Sequence, residues 1–374
     1  MESLIGKQAF IGLDQCTWLY SGAETPALTG AAEAVQQYMR NRSKGPIGRE
    51  LNDHVEQNLR ANLARILQAA PGDIALMSNS SEAISAIAHS IDFRSGDNVV
   101  INSLEFPSGV LPWLSLQAKG VEVRLVDHHD WQISADDILA KVDSRTRIVV
   151  ASQVSYHTGA RLDCQAIYEQ LKKTDTLFLV DATQAAGAVK VDARHADYTV
   201  ISSYKWLLSV HGLGILALNP ERALPEPDTA GWRSVSDLFS PHRFSRYTLW
   251  NDARRFELGY PGYPSVYAMN YSTGLLLDTG LEAIERHILA LGGELIDGLT
   301  KLGYDVMTSP DPAKRAGNIS ALHPEGEKLA EQLSRKQIYV WGGDGRFRVS
   351  IHAFNDSSDV AALLSNLPAK VGNL

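Results

Sequence analysis

Three short stretches carry residue types that do chemistry only when the chain holds them in a particular setting. An apolar run at 176–180, TLFLV, leads straight into Asp181-Ala182-Thr183-Gln184. A carboxylate at that point is costly to bury without a cation or a hydrogen-bond donor, so Asp181 calls for a positive partner. A second run, YTVIS at 198–202, leads into Ser203-Tyr204-Lys205-Trp206. Apolar neighbours disfavour the charged ammonium and lower its pKa, which makes a nucleophile of the Lys205 amine. A third run, IALMS at 74–78, leads into Asn79-Ser80-Ser81-Glu82 and then into a helical pattern. Free backbone N–H groups, hydroxyls and the positive end of a helix dipole converge there on an anion such as a phosphate.

Such groups work together only if the chain brings the ends of those runs to one place. Seven β-rich runs recur, at 74–78, 98–102, 121–126, 147–152, 176–180, 198–202 and 214–218. Most are separated by segments long enough for a crossover helix, such as 81–91 and 164–173, which is the alternation of a parallel α/β sheet. Ligands of such sheets gather beyond the carboxyl ends of the strands, where all three stretches lie. Only eleven residues separate the last two runs. That is short for a parallel crossover, so this pair is expected to be antiparallel and the sheet mixed. Past the Pro-rich 219–232 and the turn-rich 259–265, the pattern changes to one long helical tract at 266–302 and strands at 304–309, 318–323 and 347–353. The expected organisation is an N-terminal segment (1–20) packing with the small domain, a large domain (21–262) and a smaller α+β domain (263–374).

Composition narrows the function classes. Of 374 residues, 44% are hydrophobic and 21% charged, an ordinary globular balance that excludes disorder and coiled coil. A formal charge of -8 provides no positive field for a polyanion, so nucleic acid is not an expected partner. The two cysteines, Cys16 and Cys164, lie far apart and give neither a disulfide framework nor a thiolate zinc site. With no leader pattern at the start and no apolar stretch of membrane-spanning length, a cytoplasmic protein without membrane contact is expected. Asp127-His128-His129-Asp130 looks metal-like, but neighbours in a loop point apart and no third partner follows at helical spacing, so no metal is expected. The Gly212-Leu213-Gly214-Ile215-Leu216-Ala217 run matches a dinucleotide-binding pattern yet leads into a strand rather than a helix, which argues against NAD.

A carboxylate for a protonated ring nitrogen, a lysine for a Schiff base and a phosphate cup are together what pyridoxal 5′-phosphate (PLP) requires. Taken singly, each has a plainer reading: a helix cap, a surface lysine, an N-capping serine. In order along the chain, however, stand NSSEAI, LEFPSGVLPW, SQVSYHTGARLD, LVDATQAAG, SSYKWLLSVHGLGIL, RRFELGYPG and RFRVSIHAFN. With these blocks nearly the whole chain resembles the class V aminotransferase family of fold type I PLP-dependent enzymes, a group that includes cysteine desulfurases, kynureninases and isopenicillin N epimerase. The resemblance implies an α/β fold of type I with a seven-stranded, mostly parallel sheet, and a homodimer. It makes Lys205 the Schiff-base lysine and Asp181 the partner of the pyridine nitrogen. Gln184 falls to the cofactor's phenolic oxygen, and Ser80, Ser81, Ser202 and Tyr204 to its phosphate. Phe106 falls to the face of the ring, and Arg348 to the α-carboxylate of an amino-acid substrate, with Arg346 as a nearby competitor. Tyr156 stands near that carboxylate.

Departures from the family narrow the chemistry. Desulfurases need a nucleophilic cysteine in their C-terminal part, and none follows Cys164. They usually carry histidine where Phe106 stands. The SYHTGAR and SSYKWL blocks are closer to kynureninases, which however have histidine in place of Gln184. Tyr260 replaces a threonine that in desulfurase-like members reaches the neighbouring subunit's phosphate. The expected activity is transamination or β-elimination, including C–S or C–C lyase chemistry, on an α-amino acid. The alternatives are an epimerase or racemase of the same family and a non-catalytic PLP-fold binding protein.

Overall fold

The computed structural model describes residues 1–222 and 224–368. Seven strands form the main sheet: β1 (Ile74–Met77), β2 (Asn98–Asn102), β3 (Glu122–Val126), β4 (Thr146–Ser152), β5 (Leu177–Asp181), β6 (Tyr198–Ser202) and β7 (Gly214–Leu218). Their spatial order is β1-β7-β6-β5-β4-β2-β3. All neighbouring pairs are parallel except those of β7, which runs antiparallel to both β1 and β6. The eleven-residue link before β7 cannot hold a crossover, and it is the link that carries Lys205.

Both faces of this sheet are covered. Val149, Phe178, Val180, Ile201 and Ile215 belong to one apolar core, and their strand neighbours Ile148, Val150, Leu179, Val200 and Leu216 to another. A strand buried on both faces reads as a continuous apolar run, which is why these strands show so clearly in the sequence. Helices α1 (Thr29–Arg42) and α2 (Pro46–Leu67) precede β1, and α3 (Ser80–Ser90) and α4 (Cys164–Leu171) lie between strands. The Asn79 side chain accepts from the Glu82 amide at 2.8 Å and starts α3 directly off β1. Such a cap contributes about 1 kcal/mol and fixes where the first amides of the helix point.

The tract at 266–302 is not one helix but two, α5 (Tyr263–Thr279) and α6 (Leu281–Lys301). Between them Gly280 adopts φ +90°, a conformation open to glycine and strained for other residues. Helix α5 packs on α1 and α2, and its Val266, Met269 and Leu276 join a core of the main sheet. A third core gathers Leu291, Leu295 and Leu299 of α6 with Ile319, Phe347 and Val349. The latter residues lie on an antiparallel sheet of β8 (Asn318–Leu322), β9 (Trp341–Gly343) and β10 (Arg346–Ser350), in the order β9-β10-β8. The expected strand at 304–309 is reduced to an isolated bridge between Val306 and Ala321. The N-terminal segment lies against this region: Thr17–Trp18 pairs with Ile338–Tyr339, and the amides of Leu4 and Ile5 donate to Ala353. No helix among the described residues is long and apolar enough to cross a membrane.

Candidate active site

The carboxyl ends of β5 and β6, the link after β6 and the start of α3 surround a cavity of about 230 Å³. Nine residues singled out in the sequence line it: Ser80, Ser81, Phe106, Tyr156, Asp181, Gln184, Ser202, Tyr204 and Lys205. Arg348 is not among the lining residues. It stands just behind, on β10, with Nη1 donating to the Tyr156 carbonyl at 2.7 Å.

Each wall of the cavity has a distinct chemistry. At the start of α3 the Ser80 and Ser202 hydroxyls are 2.7 Å apart, and those of Ser81 and Ser108 2.8 Å apart. Hydroxyls and first-turn amides of a helix make this wall suited to a phosphate. Asp181, also on the lining, accepts from the Thr183 amide at 2.8 Å. Burial pushes its carboxyl up, against the pull of Thr183 and Lys205. Glu105 lies close by and is raised to about 7, by burial first, even though the Ser152 amide and hydroxyl and the Asn102 amide donate to it.

Lys205 is buried, and burial is the main reason its ammonium falls to about 8, with Arg348 lowering it further and Asp181 opposing. Its Nζ lies 5.3 Å from the Phe106 ring centroid and 5.6 Å from that of Tyr204. Phe106, 41% exposed at the mouth, meets Tyr156 edge-on at 5.2 Å. The Gln184 side chain bridges the two sheets: its Oε1 accepts from Trp206 (2.7 Å) and Asn318 (2.9 Å), and its Nε2 donates to the Gly22 carbonyl (2.9 Å). Nε2 carries two hydrogens, so one remains for a ligand. Tyr260 is elsewhere, taking a hydrogen bond from Arg49 at 2.7 Å.

Several lining residues escaped the sequence reading: Asn79, Ser108, Ser152, Thr183 and His211. Asn79 and Thr183 flank recognised residues, and their capping and strand-end positions were available as signals. His211, whose ring stacks on Tyr204 at 3.9 Å, gave no local signal, because its place depends on the path of the link after β6.

The family model for class V aminotransferases matches residues 17–363. The chain belongs to this PLP-dependent family. An uncharacterized aminotransferase of Schizosaccharomyces pombe is 26% identical over 96% of this chain and 93% of its own length. A probable cysteine desulfurase of Methanothermobacter thermautotrophicus is 26% identical over 93% and 92%. Among solved structures, the apo cysteine desulfurase of Thermococcus onnurineus superposes with a TM-score of 0.86 at 22% identity, covering 98% of both chains. A variant of the cystine C-S lyase C-DES, with glycine covalently linked to its PLP, superposes at 0.88 with 21% identity, over 96% of this chain and 98% of that one.

As a class V aminotransferase family member the protein is a PLP-dependent enzyme, and the donor set of the cavity fits that cofactor. A hydroxyl-rich helix start, a buried carboxyl whose ionised form needs a cation and an amine of lowered pKa face one small lumen. Neither cysteine does. Cys164 lines a different crevice and burial pushes its thiol up to about 12, while that of Cys16 is also raised. A thiol held in its protonated form is a poor nucleophile, so this chain has no thiol placed to accept sulfur as a persulfide.

Proposed function

We propose that the protein is a PLP-dependent aminotransferase or lyase acting on a small α-amino acid. The observation that carries this reading is the joint placement of Lys205 and Asp181 in one cavity with the hydroxyl-lined start of α3. PLP, when bound, supplies a sink for the electron pair released at the substrate's Cα. The residues of this chain do the rest. Lys205 Nζ would be the covalent attachment point and, as a free amine, the base that takes and returns the substrate's Cα proton. Asp181 holds a proton at the ring nitrogen. Ser80, Ser81, Ser202 and Tyr204 would hold the phosphate, Gln184 would donate its free N–H to the phenolic oxygen and Phe106 would cover the ring. Arg348 grips the α-carboxylate through its planar fork and so sets which bond at Cα is cleaved. Residues 21–262 act as the cofactor-binding domain, with α5 packed onto it, and the rest of 263–374 as the smaller domain carrying Arg348.

We further propose a homodimer, supported by Phe239 and Phe244, which are 86% and 88% exposed on the 232–250 segment and call for cover. Incubation with a panel of amino acids decides the reaction. Conversion of the cofactor to its amine form marks transamination, and release of keto acid with the original cofactor spectrum marks elimination. No spectral change with any amino acid would overturn the proposal.

A further inference from the structure

Arg348 does not stand alone. Arg346 lies two residues before it on β10, so both side chains leave the same face of the strand, about 7 Å apart at the backbone. Arg346 is fully buried, yet among the described residues its Nε and Nη2 have no hydrogen-bond partner. Its Nη1 donates to Asp344, 3.2 Å away on the turn between β9 and β10, whose carboxylate is 66% exposed, and the guanidinium also interacts with the Tyr156 hydroxyl. Trp341 covers one side, 4.6 Å from the guanidinium carbon. The Tyr156 ring centroid lies 5.9 Å from that carbon, and Tyr156 also lines the cavity, so this side chain forms the wall between Arg346 and the candidate substrate space.

A buried guanidinium with an open Nε–Nη2 edge is costly unless an anion meets it, and that edge matches a carboxylate bidentately. We propose that Arg346 and Arg348 form a two-point clamp for an acidic α-amino acid, Arg348 taking the α-carboxylate and Arg346 the side-chain carboxylate. The clamp rests on reading the cavity as an amino-acid site. Movement of the Tyr156 side chain opens the path, and Asp344 holds the guanidinium in place until the ligand arrives.

Titration of the PLP-loaded protein, followed by the change in visible absorbance, compares L-aspartate and L-glutamate with their neutral isosteres L-asparagine and L-glutamine. At least one acid is expected to bind tenfold or more tightly than its amide. Arg346→Gln brings that ratio to within about twofold, and Arg346→Lys, which keeps the charge but not the fork, leaves it in between. Thermal stabilisation of the same protein by succinate or glutarate, against acetate, is an independent readout that Arg346→Gln abolishes. Equal affinity of the unmutated protein for acids and amides would overturn the clamp whatever the variants do, leaving Arg346 a structural partner of Trp341 and Asp344. A protein that takes up no PLP would instead overturn the reading of the site, while the dicarboxylate measurement would still decide whether the arginine pair binds anions.

Discussion

Lys205 and Asp181 are both buried, and burial displaces both towards neutrality, the lysine downward and the carboxyl upward. For Lys205 the consequence is a pH window. Attachment of an aldehyde needs the free amine, which in this setting becomes the majority form above about pH 8 rather than above the usual 10.5. The rate of PLP uptake by cofactor-free protein should therefore rise with pH through about 8 and level off above it. A rate flat from pH 7 to 9.5 would show that the amine is not what limits attachment. For Asp181, a bound pyridinium supplies the cation that burial demands. Asp181→Asn keeps the shape but cannot hold the proton, so the variant should still take up PLP and become coloured while losing at least ~100-fold in turnover, the lower end of a positioned acid–base group's contribution. Full activity in that variant would remove Asp181 from its role. Position alone singled these two out, Asp181 directly after an apolar run and Lys205 three residues past one, but each alone also reads as a cap or a surface lysine, and the ordered motifs along the chain assigned their roles. Arg348 was legible only through resemblance, since nothing local separates a clamping arginine from an ion-paired one.

At the scale of elements, the cavity depends on how closely β7 approaches the turn between β1 and α3. A Cβ built on Gly214 would lie 2.3 Å from the Asn79 carbonyl carbon and 2.6 Å from the Ser80 amide, both backbone atoms that cannot swing aside. Gly214→Ala should accordingly push the start of α3 outward and weaken PLP binding by tenfold or more, read by equilibrium titration at unchanged secondary structure. Unaltered affinity would show that the hydroxyl wall does not hold the phosphate. Six of the seven sheet strands were recognisable because strands buried on two faces are apolar runs, while the edge strand β3, largely exposed, shows instead as the alternation VEVRLV. Two other elements misled. The tract at 266–302 reads as one helix because apolar periodicity continues on both sides of Gly280, and only that glycine after Asp278-Thr279 signals the break. The 304–309 run has strand-like residues, but its pairing with β8 is confined to one bridge, Val306 opposite Ala321, closed by the Met307 amide on the Ser320 carbonyl and the Leu322 amide on the Asp305 carbonyl.

In the whole molecule the main sheet and the small sheet meet through a buried polar chain. Ser350 Oγ donates to Asn318 Oδ1 at 2.7 Å, and Asn318 Nδ2 donates to Gln184 Oε1 at 2.9 Å. Asn318 thus ties the strand that pairs with the Arg348 strand to the side chain proposed to touch the cofactor. Asn318→Ala leaves the buried Ser350 hydroxyl without its acceptor, a loss of roughly 1–3 kcal/mol, and removes one of the two donors to Gln184 Oε1, which keeps Trp206. Denaturation should show that loss together with weaker PLP binding, whereas lowered stability at unchanged PLP affinity would make the chain a structural tie alone. No sequence pattern announces this chain, because its members are 134 and 32 residues apart and meet only after both sheets form. The central claim is that Lys205 holds the cofactor covalently, and it can be read directly. Protein saturated with PLP is reduced with borohydride, digested and mapped by mass spectrometry. The account predicts a pyridoxyl group on Lys205 and none in Lys205→Ala; a label on another lysine, or no label in the unmutated protein, would contradict it.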